Sequence, residues 1–249
     1  MSIKIDVNFS FISDTKKYLE MFDKQKSSRN CPDPDSCSKT LRDYHKMLWS
    51  KPLPNGDKME LNEDATYLAW KDFHFGSDSI VNMYFHHISV AKYYLTDELK
   101  NTFCKKYGFS DFTSFWRDYL IKSYTIGGAI IFPKSNSINA ERGKMLKDRF
   151  DLTLECIRLY YLENESPLFA RLQANKAFFD LFVDFEQYVD FFYLQDLVDP
   201  NSSKIKYFNS FKDLSNVPYP QTERDWLDLY ENQLDFVNRR NKRIAESIK

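Results

Sequence analysis

Apolar residues recur at helical spacing over long stretches of the chain, and this pattern predicts most of its structure. Steps of three and four residues predict a helix over 146–163, and a stretch that is apolar almost all round predicts a central helix or two helices over 178–198. A last helix is predicted from Thr222 to Ile248, with Asp225 at the capping-box position. We expect the inward-facing residues of the predicted helices to form one core beside a strand at 124–132. The helical residues of this core are Phe150, Leu154, Ile157, Phe182, Phe185, Val189 and Phe192, and the strand contributes Ile130 and Phe132.

Shorter elements fill the rest of the chain. Capping residues before apolar runs predict further helices at 14–24, 36–49, 80–95, 96–107 and 110–123. Alternating or β-branched runs predict strands at 3–11, 59–61, 67–75, 124–132 and 205–208. A polar, proline-containing stretch predicts a flexible loop at 25–36. Helices outweigh the scattered strands, so we predict a mostly helical α+β fold, a single globular domain over 1–249 with one small mixed or antiparallel sheet packed by several helices.

The composition narrows the chemistry that the chain can perform. It has 249 residues and only 6 Gly, of which Gly127 and Gly128 are the single adjacent pair. Gly-rich phosphate loops are therefore nearly excluded, and neither a P-loop nor the G-x-S-x-G motif of serine hydrolases is present. The formal net charge of -1 argues against a strongly basic nucleic-acid binder, although a local basic patch would suffice for binding.

Hydropathy and cysteine usage indicate a cytoplasmic protein. No apolar run approaches the roughly 18 residues that a membrane span needs, and the first residues alternate like a strand rather than forming a signal peptide. Among the 4 Cys, only Cys31 and Cys37 are close in sequence, and their spacing is not that of a zinc knuckle. With 4 His in total, no metal site is predicted from histidine. We therefore expect a reducing, cytosolic compartment and no membrane association.

The densest charge pattern lies at the start of the 146–163 helix. Basic side chains beside free backbone N–H groups favour an anion, so we predict phosphate binding by Arg142, Lys147 and Arg149. Asp151 and Glu155 would then act as acid and base or hold Mg²⁺, which is the one cofactor that the sequence suggests. The alternative is a solvated helix face on which these charges form spaced ion pairs.

A second constellation lies in the 36–49 helix and the turn after it. Arg42 and His45 are three residues apart on one helical face, and Lys51 follows the helix. The two cations would hold phosphate and the histidine would move protons, which is the chemistry that hydrolysis of RNA needs. The Arg-x-x-His spacing is a weak signal, so the alternative is that His45 is a surface or partly packed histidine.

Several blocks of the sequence are similar to a known family, and they are LRDYHKMLWSKPLPNG (41–56), GSDSI (76–80), YTIGGAIIFP (124–133), INAERG (138–143), KDRFDLTLECIRLYY (147–161), YVDFFYLQDLVD (188–199) and NRRNKRI (238–244). The blocks are spread over nearly all of the chain, and they resemble a family of bacterial proteins known only as a domain of unknown function. The resemblance implies a bacterial, soluble protein that forms a single unit. It implies no activity, cofactor or catalytic residue.

Two functions stay open at the level of the sequence. The first is an enzyme or binding domain for a phosphorylated ligand, either a nucleotide or a nucleic acid. The second is a non-catalytic interaction or regulatory protein of a stress or phage-defence locus, suggested by the absence of a catalytic motif and by the long terminal helix. That helix either packs on its own domain, which leaves a monomer, or pairs with a second copy in a homodimer. Convergence of 42–55, 77–79 and 139–155 on one concave pocket would favour the first function.

Overall fold

The described part of the chain contains one antiparallel sheet, whose four strands follow the order β1-β2-β3-β4. The computed structural model describes residues 4–15, 33–64, 67–80, 88–134 and 138–248, of which 88–90 by their backbone alone. The strands are β1 (Asn62–Asp64), β2 (Tyr67–Trp70), β3 (Phe73–Ser79) and β4 (Ala129–Pro133). The small sheet and the excess of helix confirm the predicted mostly helical α+β fold.

The α-helices are α1 (Pro34–Cys37), α2 (Lys39–Trp49), α3 (Ile88–Tyr94), α4 (Asp97–Tyr107), α5 (Phe112–Ser123), α6 (Ile138–Leu146), α7 (Phe150–Tyr161), α8 (Phe169–Ala174), α9 (Lys176–Phe179), α10 (Phe185–Phe191) and α11 (Glu223–Ser247). Short 3-10 turns lie at Phe11–Asp14, Ile126–Gly128, Asp180–Phe182 and Gln195–Leu197. The predicted capping box of α11 is confirmed, because Thr222 and Asp225 each bind the other's backbone N–H. None of the helices in the described ranges combines the length and the apolar character that a bilayer crossing requires.

The predicted strand at 67–75 is in fact two strands joined by a tight turn. The chain reverses at Lys71, which has a left-handed φ of 51°, so that Trp70 pairs with Phe73. A lysine gives no sequence signal for such a turn, because left-handed backbone is favoured by Gly and Asn. The reversal places β3 between β2 and β4, and β3 extends as far as Ser79.

Other boundaries in the first half also differ from the prediction. Residues 4–10 are irregular, although the alternation predicts a strand there. The helix predicted from residue 36 begins at Lys39, and Pro34–Cys37 forms the short helix α1 where the sequence predicts a loop. The later start of α2 and the presence of α1 have the same cause. Asp33 and Ser38 each accept a hydrogen bond from a backbone N–H, and they cap separate helices. Residues 16–32, with most of the predicted 14–24 helix and 25–36 loop, lie outside the described residues.

The helix predicted over 146–163 is α7, which begins only at Phe150, because a sharp break at 147–149 separates it from α6. Lys147 and Asp148 both have a φ of 55° in this break. Left-handed backbone at a non-glycine residue costs about 1 kcal/mol or more, so tertiary contacts must hold the break in place. The buried guanidinium of Arg142 makes such a contact, because its Nη2 donates to the Asp148 carbonyl at 2.9 Å. Asp148 therefore lies off the helix, whereas Asp151 and Glu155 lie on α7.

The apolar stretch at 178–198 folds as short helical segments rather than as one or two long helices. Val183 and Tyr193 have left-handed φ values of 65° and 55°, and each follows a helical segment. These breaks let aromatic rings approach one another from several directions. The result is a close cluster of Phe182, Tyr188 and Phe192, with ring centroids 5.2, 5.4 and 4.9 Å apart.

The predicted core is confirmed, because the seven helical residues, Ile130 and Phe132 are all buried in one cluster. Strand β4 is buried at every position, which explains why its sequence is apolar throughout rather than alternating. The strand predicted at 124–132 starts only at Ala129, because the preceding residues form a 3-10 turn. Residues 205–208 make one isolated bridge, between Ile205 and Val198, instead of a strand.

The terminal helix α11 packs on its own domain. Its apolar stripe, whose residues recur at helical spacing, is buried within the chain at Leu227, Tyr230, Leu234, Val237 and Ile244. Buried polar residues of the same helix bind the backbone around Gly127. Asn241 Oδ1 accepts from the Gly127 N–H at 2.6 Å, and Arg240 Nη1 donates to the Gly127 and Ala129 carbonyls at 3.0 and 2.6 Å. Asn241, which lies between Val237 and Ile244 in the stripe, therefore stabilises the packing of α11 on the rest of the chain.

Gly127→Ala tests this docking. An added Cβ would lie 2.6 Å from the Asn241 side-chain oxygen and would also overlap the Val237 carbonyl of α11. We expect the free energy of unfolding to fall by about 1–3 kcal/mol, which is typical of overpacking a buried site. Gly76→Ala is the matched control, because its added Cβ would meet no atom within 4 Å. Urea denaturation measures both variants, and equal stabilities would contradict a close approach of α11 to this turn.

Candidate functional site

A cavity of about 500 Å³ opens between the sheet and the helices α1 and α2. Its apolar wall consists of Leu68, Phe75, Phe132 and Pro133. Its polar lining includes Asp35, Cys37, Arg42, Ser77, Lys134 and Asn139. An apolar wall with a few converging polar groups is the usual composition of a small-molecule site. The segments 42–55, 77–79 and 139–155 each contribute to this one pocket, through Arg42 and His45, Ser77, and Asn139.

A chain of hydrogen bonds runs from the core to the cavity. The Trp49 indole Nε1 donates to His45 Nδ1 at 2.9 Å, and His45 Nε2 lies 3.0 Å from Ser77 Oγ. Ser77 Oγ in turn donates to Asp35 Oδ1 at 3.1 Å. An indole nitrogen can only donate, so His45 Nδ1 is an acceptor and the ring proton sits on Nε2. Each link of the chain therefore has a defined direction, and it ends at one oxygen of the Asp35 carboxyl group.

His45 is completely buried, and this determines its charge. Burial, helped by the nearby Arg240 cation, lowers the pKa of His45 to about 3, so the imidazole is neutral. Both of its nitrogens are engaged, one by Trp49 and one by Ser77. In this arrangement the ring orients the Ser77 hydroxyl. The proton-transfer role predicted for His45 stays a prediction.

Two carboxyl groups beside the cavity hold their protons unusually tightly. Burial raises the pKa of Asp35 well above its ordinary value, and the negative charges of Asp33 and Asp78 raise it further. Burial also raises the pKa of Asp78, to about 6, although the neighbouring Arg142 cation opposes the shift. Raised carboxyl pKa values inside a cleft are a physical mark of a functional site. Asp35 and Asp78 are therefore the strongest acid–base candidates in the described part of the chain.

Arg142 was predicted to bind phosphate, but it is buried and its donors are occupied. Its Nη1 forms an ion pair with Asp78 and donates to the Ser79 carbonyl, and its Nε donates to Thr153 Oγ1 at 3.2 Å. With Nη2 on the Asp148 carbonyl, the guanidinium joins β3 to the break between α6 and α7. Arg142 thus sets the position of Asp78 from behind the cavity, and its side chain does not reach the lining.

Arg42 lines the cavity, and one of its N–H donors has no hydrogen-bond partner. Its side chain is 24% exposed, and its Nε lies 3.9 Å from Glu63 Oε1, which is an ion-pair distance and too long for a hydrogen bond. Its Nε is buried and has no hydrogen-bond partner, and the same is true of Asn139 Oδ1 across the lining. A buried donor without a partner costs about 1–3 kcal/mol unless a ligand or water satisfies it. These two groups are therefore set up for a polar ligand.

The remaining predicted phosphate ligands lie elsewhere. Lys51 Nζ donates to the Phe191 carbonyl at 2.6 Å and lies 3.9 Å from the Tyr193 ring centroid. Burial, together with the Arg240 cation, lowers the pKa of Lys51 to about 7. Lys147 Nζ donates to the Lys144 carbonyl at 3.2 Å. Neither amine lines the cavity described above, so the structure divides the predicted residues between separate places.

Arg149, Asp151 and Glu155 also form structural contacts. Arg149 pairs with Asp151 through two hydrogen bonds and donates to the Asn209 carbonyl at 2.6 Å. Asp151 Oδ2 also accepts from the Phe208 N–H at 2.9 Å, so this buried pair ties the segment after residue 205 to α7. Glu155 forms two hydrogen bonds with Arg158, each 2.8 Å long. Within the described ranges no group of three or more His, Cys, Asp or Glu side chains could hold a metal ion, and magnesium binding stays a prediction from the sequence.

Sequence reasoning missed Asp35 and Asp78 as site residues. The only signal was their place in two short blocks, PDPDS at 32–36 and GSDSI at 76–80, both rich in capping residues. Residues of these types usually cap helices, and Asp33 does so at α1. The two blocks are about 40 residues apart and meet only because β3 passes beside α1. Their chemistry depends on burial, which the sequence does not display.

Asp78 should make the stability of the protein depend on pH. Its pKa of about 6 in the folded state lies above the ordinary value of 3.8, so folding favours the protonated form. Its contribution to stability is fully present below pH 3.8 and is lost as the pH rises through 6. The difference in unfolding free energy between the wild type and Asp78→Asn should fall by on the order of 3 kcal/mol between pH 4 and pH 7. Denaturation at each pH measures it, with Asp235→Asn in an exposed ion pair as the control, and a constant difference would contradict the raised pKa.

Comparison with known proteins agrees with the family resemblance. The profile of one family of unknown function, DUF6994, matches residues 5–244. No significant match was found among curated proteins or among solved structures. Since the matched residues are nearly the whole chain, the protein belongs to DUF6994, a family of unknown function.

Proposed function

We propose that this protein binds a phosphorylated small molecule in the cavity between α1, α2 and the sheet, with Arg42 as the phosphate ligand. The observation that carries the proposal is the side chain of Arg42, which lines the cavity and whose Nε has no hydrogen-bond partner. A guanidinium presents several fixed donors that match the oxygens of a phosphate group. Asn139, whose Oδ1 also lacks a partner, would bind a hydroxyl group of the same ligand.

The charges that line the cavity support an anionic ligand. Arg42 and Lys134 are the cationic side chains of the lining, and Asp35 is its acidic one. Burial and two neighbouring aspartates favour the neutral acid form of Asp35, and His45 is neutral as well. The lining therefore has a positive balance, which attracts a phosphate and would repel a cation.

The size and the apolar wall of the cavity support a small ligand with an apolar part. A volume of about 500 Å³ lies within the range of small-molecule sites. Phe75 and Phe132 would face a flat or aliphatic group of the ligand, while its phosphate lies toward Arg42. A nucleotide or another phosphate monoester combines these two properties. Binding of a nucleic acid, the bacterial origin and the cytosolic location stay predictions from the sequence.

The alternative of a non-catalytic interaction protein has less support. Its structural motivation is the apolar stripe of the long terminal helix, and that stripe is buried within the chain. Without it, α11 has no long apolar face to offer a partner. A monomer or a homodimer formed through another surface is compatible with this arrangement.

Arg42→Gln tests the proposal. Phenyl phosphate is a suitable probe, because it combines a phosphate group with a ring for the apolar wall. At about 100 times its dissociation constant, it should add roughly 2.7 kcal/mol to the stability of the wild type, visible as a thermal shift. Losing a hydrogen bond to a charged group is worth about 1.5–3 kcal/mol, so Arg42→Gln should weaken binding roughly tenfold or more. Arg224→Gln, which changes an exposed arginine in an ion pair on α11, is the matched control.

Cys37 provides an independent measurement of occupancy. Its thiol is free and exposed, and it lines the same cavity. Bound phenyl phosphate should slow alkylation of Cys37 in the wild type, with the partly buried Cys104 as an internal reference. If neither phenyl phosphate nor inorganic phosphate shifts the melting temperature or slows alkylation of Cys37, the proposed function is wrong.

A further inference from the structure

We infer that Asp35 is a general acid and that the cavity hydrolyses phosphate monoesters of apolar or aromatic alcohols. This inference rests on the proposed function, because it takes Arg42 as the anchor of the phosphate. It adds a reaction and a substrate class to that binding site. The geometry that points to it is the hydrogen-bond chain that ends on one oxygen of the Asp35 carboxyl group.

The direction of this chain determines where the Asp35 proton lies. The Trp49 N–H makes His45 Nδ1 an acceptor, and His45 Nε2–H then donates to Ser77 Oγ. The one hydroxyl proton of Ser77 is thereby directed at Asp35 Oδ1. Oδ1 is an acceptor, so the acid proton of Asp35 belongs on Oδ2. The site thus presents a carboxylic acid whose transferable proton has a defined position.

The surroundings of Asp35 shift its titration toward the acid form. Burial and the charges of Asp33 and Asp78 raise its pKa, while the Ser77 hydrogen bond and the Arg142 cation act in the opposite direction. Arg42 and Lys134 line the same cavity, and His45 beside Ser77 carries no charge. A carboxylic acid with a raised pKa beside the phosphate anchor is the group that a leaving alkoxide needs.

The proposed reaction is balanced without a further reactant. A water molecule attacks phosphorus, and the bond between phosphorus and the ester oxygen breaks. The Asp35 Oδ2 proton moves to the departing oxygen, which gives the neutral alcohol, and the attacking water releases a proton that restores the Asp35 acid through solvent. Phosphoryl transfer has a loose transition state, so the charge on the leaving oxygen is where an acid helps most. The apolar wall of Phe75 and Phe132 would hold the alcohol part.

Two substrates with different leaving groups test the inference. Phenoxide is a poor leaving group and needs a proton, whereas 4-nitrophenoxide leaves readily without one. Asp35→Asn should lower kcat/KM for phenyl phosphate by roughly 10²-fold or more, the usual value of a general acid. The loss for 4-nitrophenyl phosphate should be much smaller. Equal losses for both substrates would overturn the role of Asp35 as the acid.

Asn is a close substitute for the protonated form of Asp, so folding and binding can be checked separately. Its side-chain oxygen can still accept from Ser77, and its amide replaces the acid O–H as a donor. Phenyl phosphate should therefore protect Cys37 from alkylation in Asp35→Asn as it does in the wild type. If the wild type shows this protection but releases no phosphate, the inference fails and the proposed function stands. If the protection is absent from the wild type, the proposed function itself fails.

Ser77→Ala tests the positioning role of the hydrogen-bond chain. The general acid must be protonated, so kcat/KM should fall as the pH rises through the pKa of Asp35. The Ser77 hydroxyl stabilises the charged carboxylate, and its removal should move this falling limb to higher pH. A limb that does not move would show that Ser77 serves only the fold, and it would overturn the assignment of the limb to Asp35.

Discussion

The contact on which most of the site depends is that of the fully buried Arg142 guanidinium with Asp78. A buried charge is stable only with a partner and satisfied hydrogen bonds, and Arg142 has both. The same guanidinium holds the left-handed backbone at Asp148, and it thereby separates α6 from α7. One side chain thus places the end of β3, the helix break and the carboxyl group beside the cavity. Removing it would leave an uncompensated carboxylate and a strained turn without support.

A second buried cation, Arg240 of α11, has a different role. It donates to the carbonyls of Phe192, Gly127 and Ala129, and the described residues give it no carboxylate partner. Burial lowers its pKa to about 9, which is still high enough to keep it charged. Its charge also helps to keep His45 neutral. The docking of α11 is therefore linked to the protonation state of a residue in the hydrogen-bond chain.

These two arginines both lower the pKa of groups near the cavity: Arg142 favours the charged carboxylate of Asp78, and Arg240 favours the neutral imidazole of His45. Arg142 compensates Asp78, Arg240 opposes protonation of His45, and Asp35 is left with burial and two neighbouring aspartates. The cationic lining is then available for an anion. The electrostatics of the site are a consequence of how the helices pack on the sheet.

The sequence by itself determined the features that depend on neighbours along the chain. Helical spacing identified the core around Phe182 and Phe192, and the Thr222–Asp225 capping box identified the start of α11, because both signals are local. Arg42 was predicted to bind phosphate from its charge and from its place three residues before His45, and this role stays a prediction. Only the tertiary structure decided the helix break at 147–148 and the tight turn at Lys71, because contacts from distant residues outweigh the local cost of left-handed backbone there. It also decided the environment of Asp35, since the pKa of this residue is raised by burial and by charges that include Asp78, about 40 positions away.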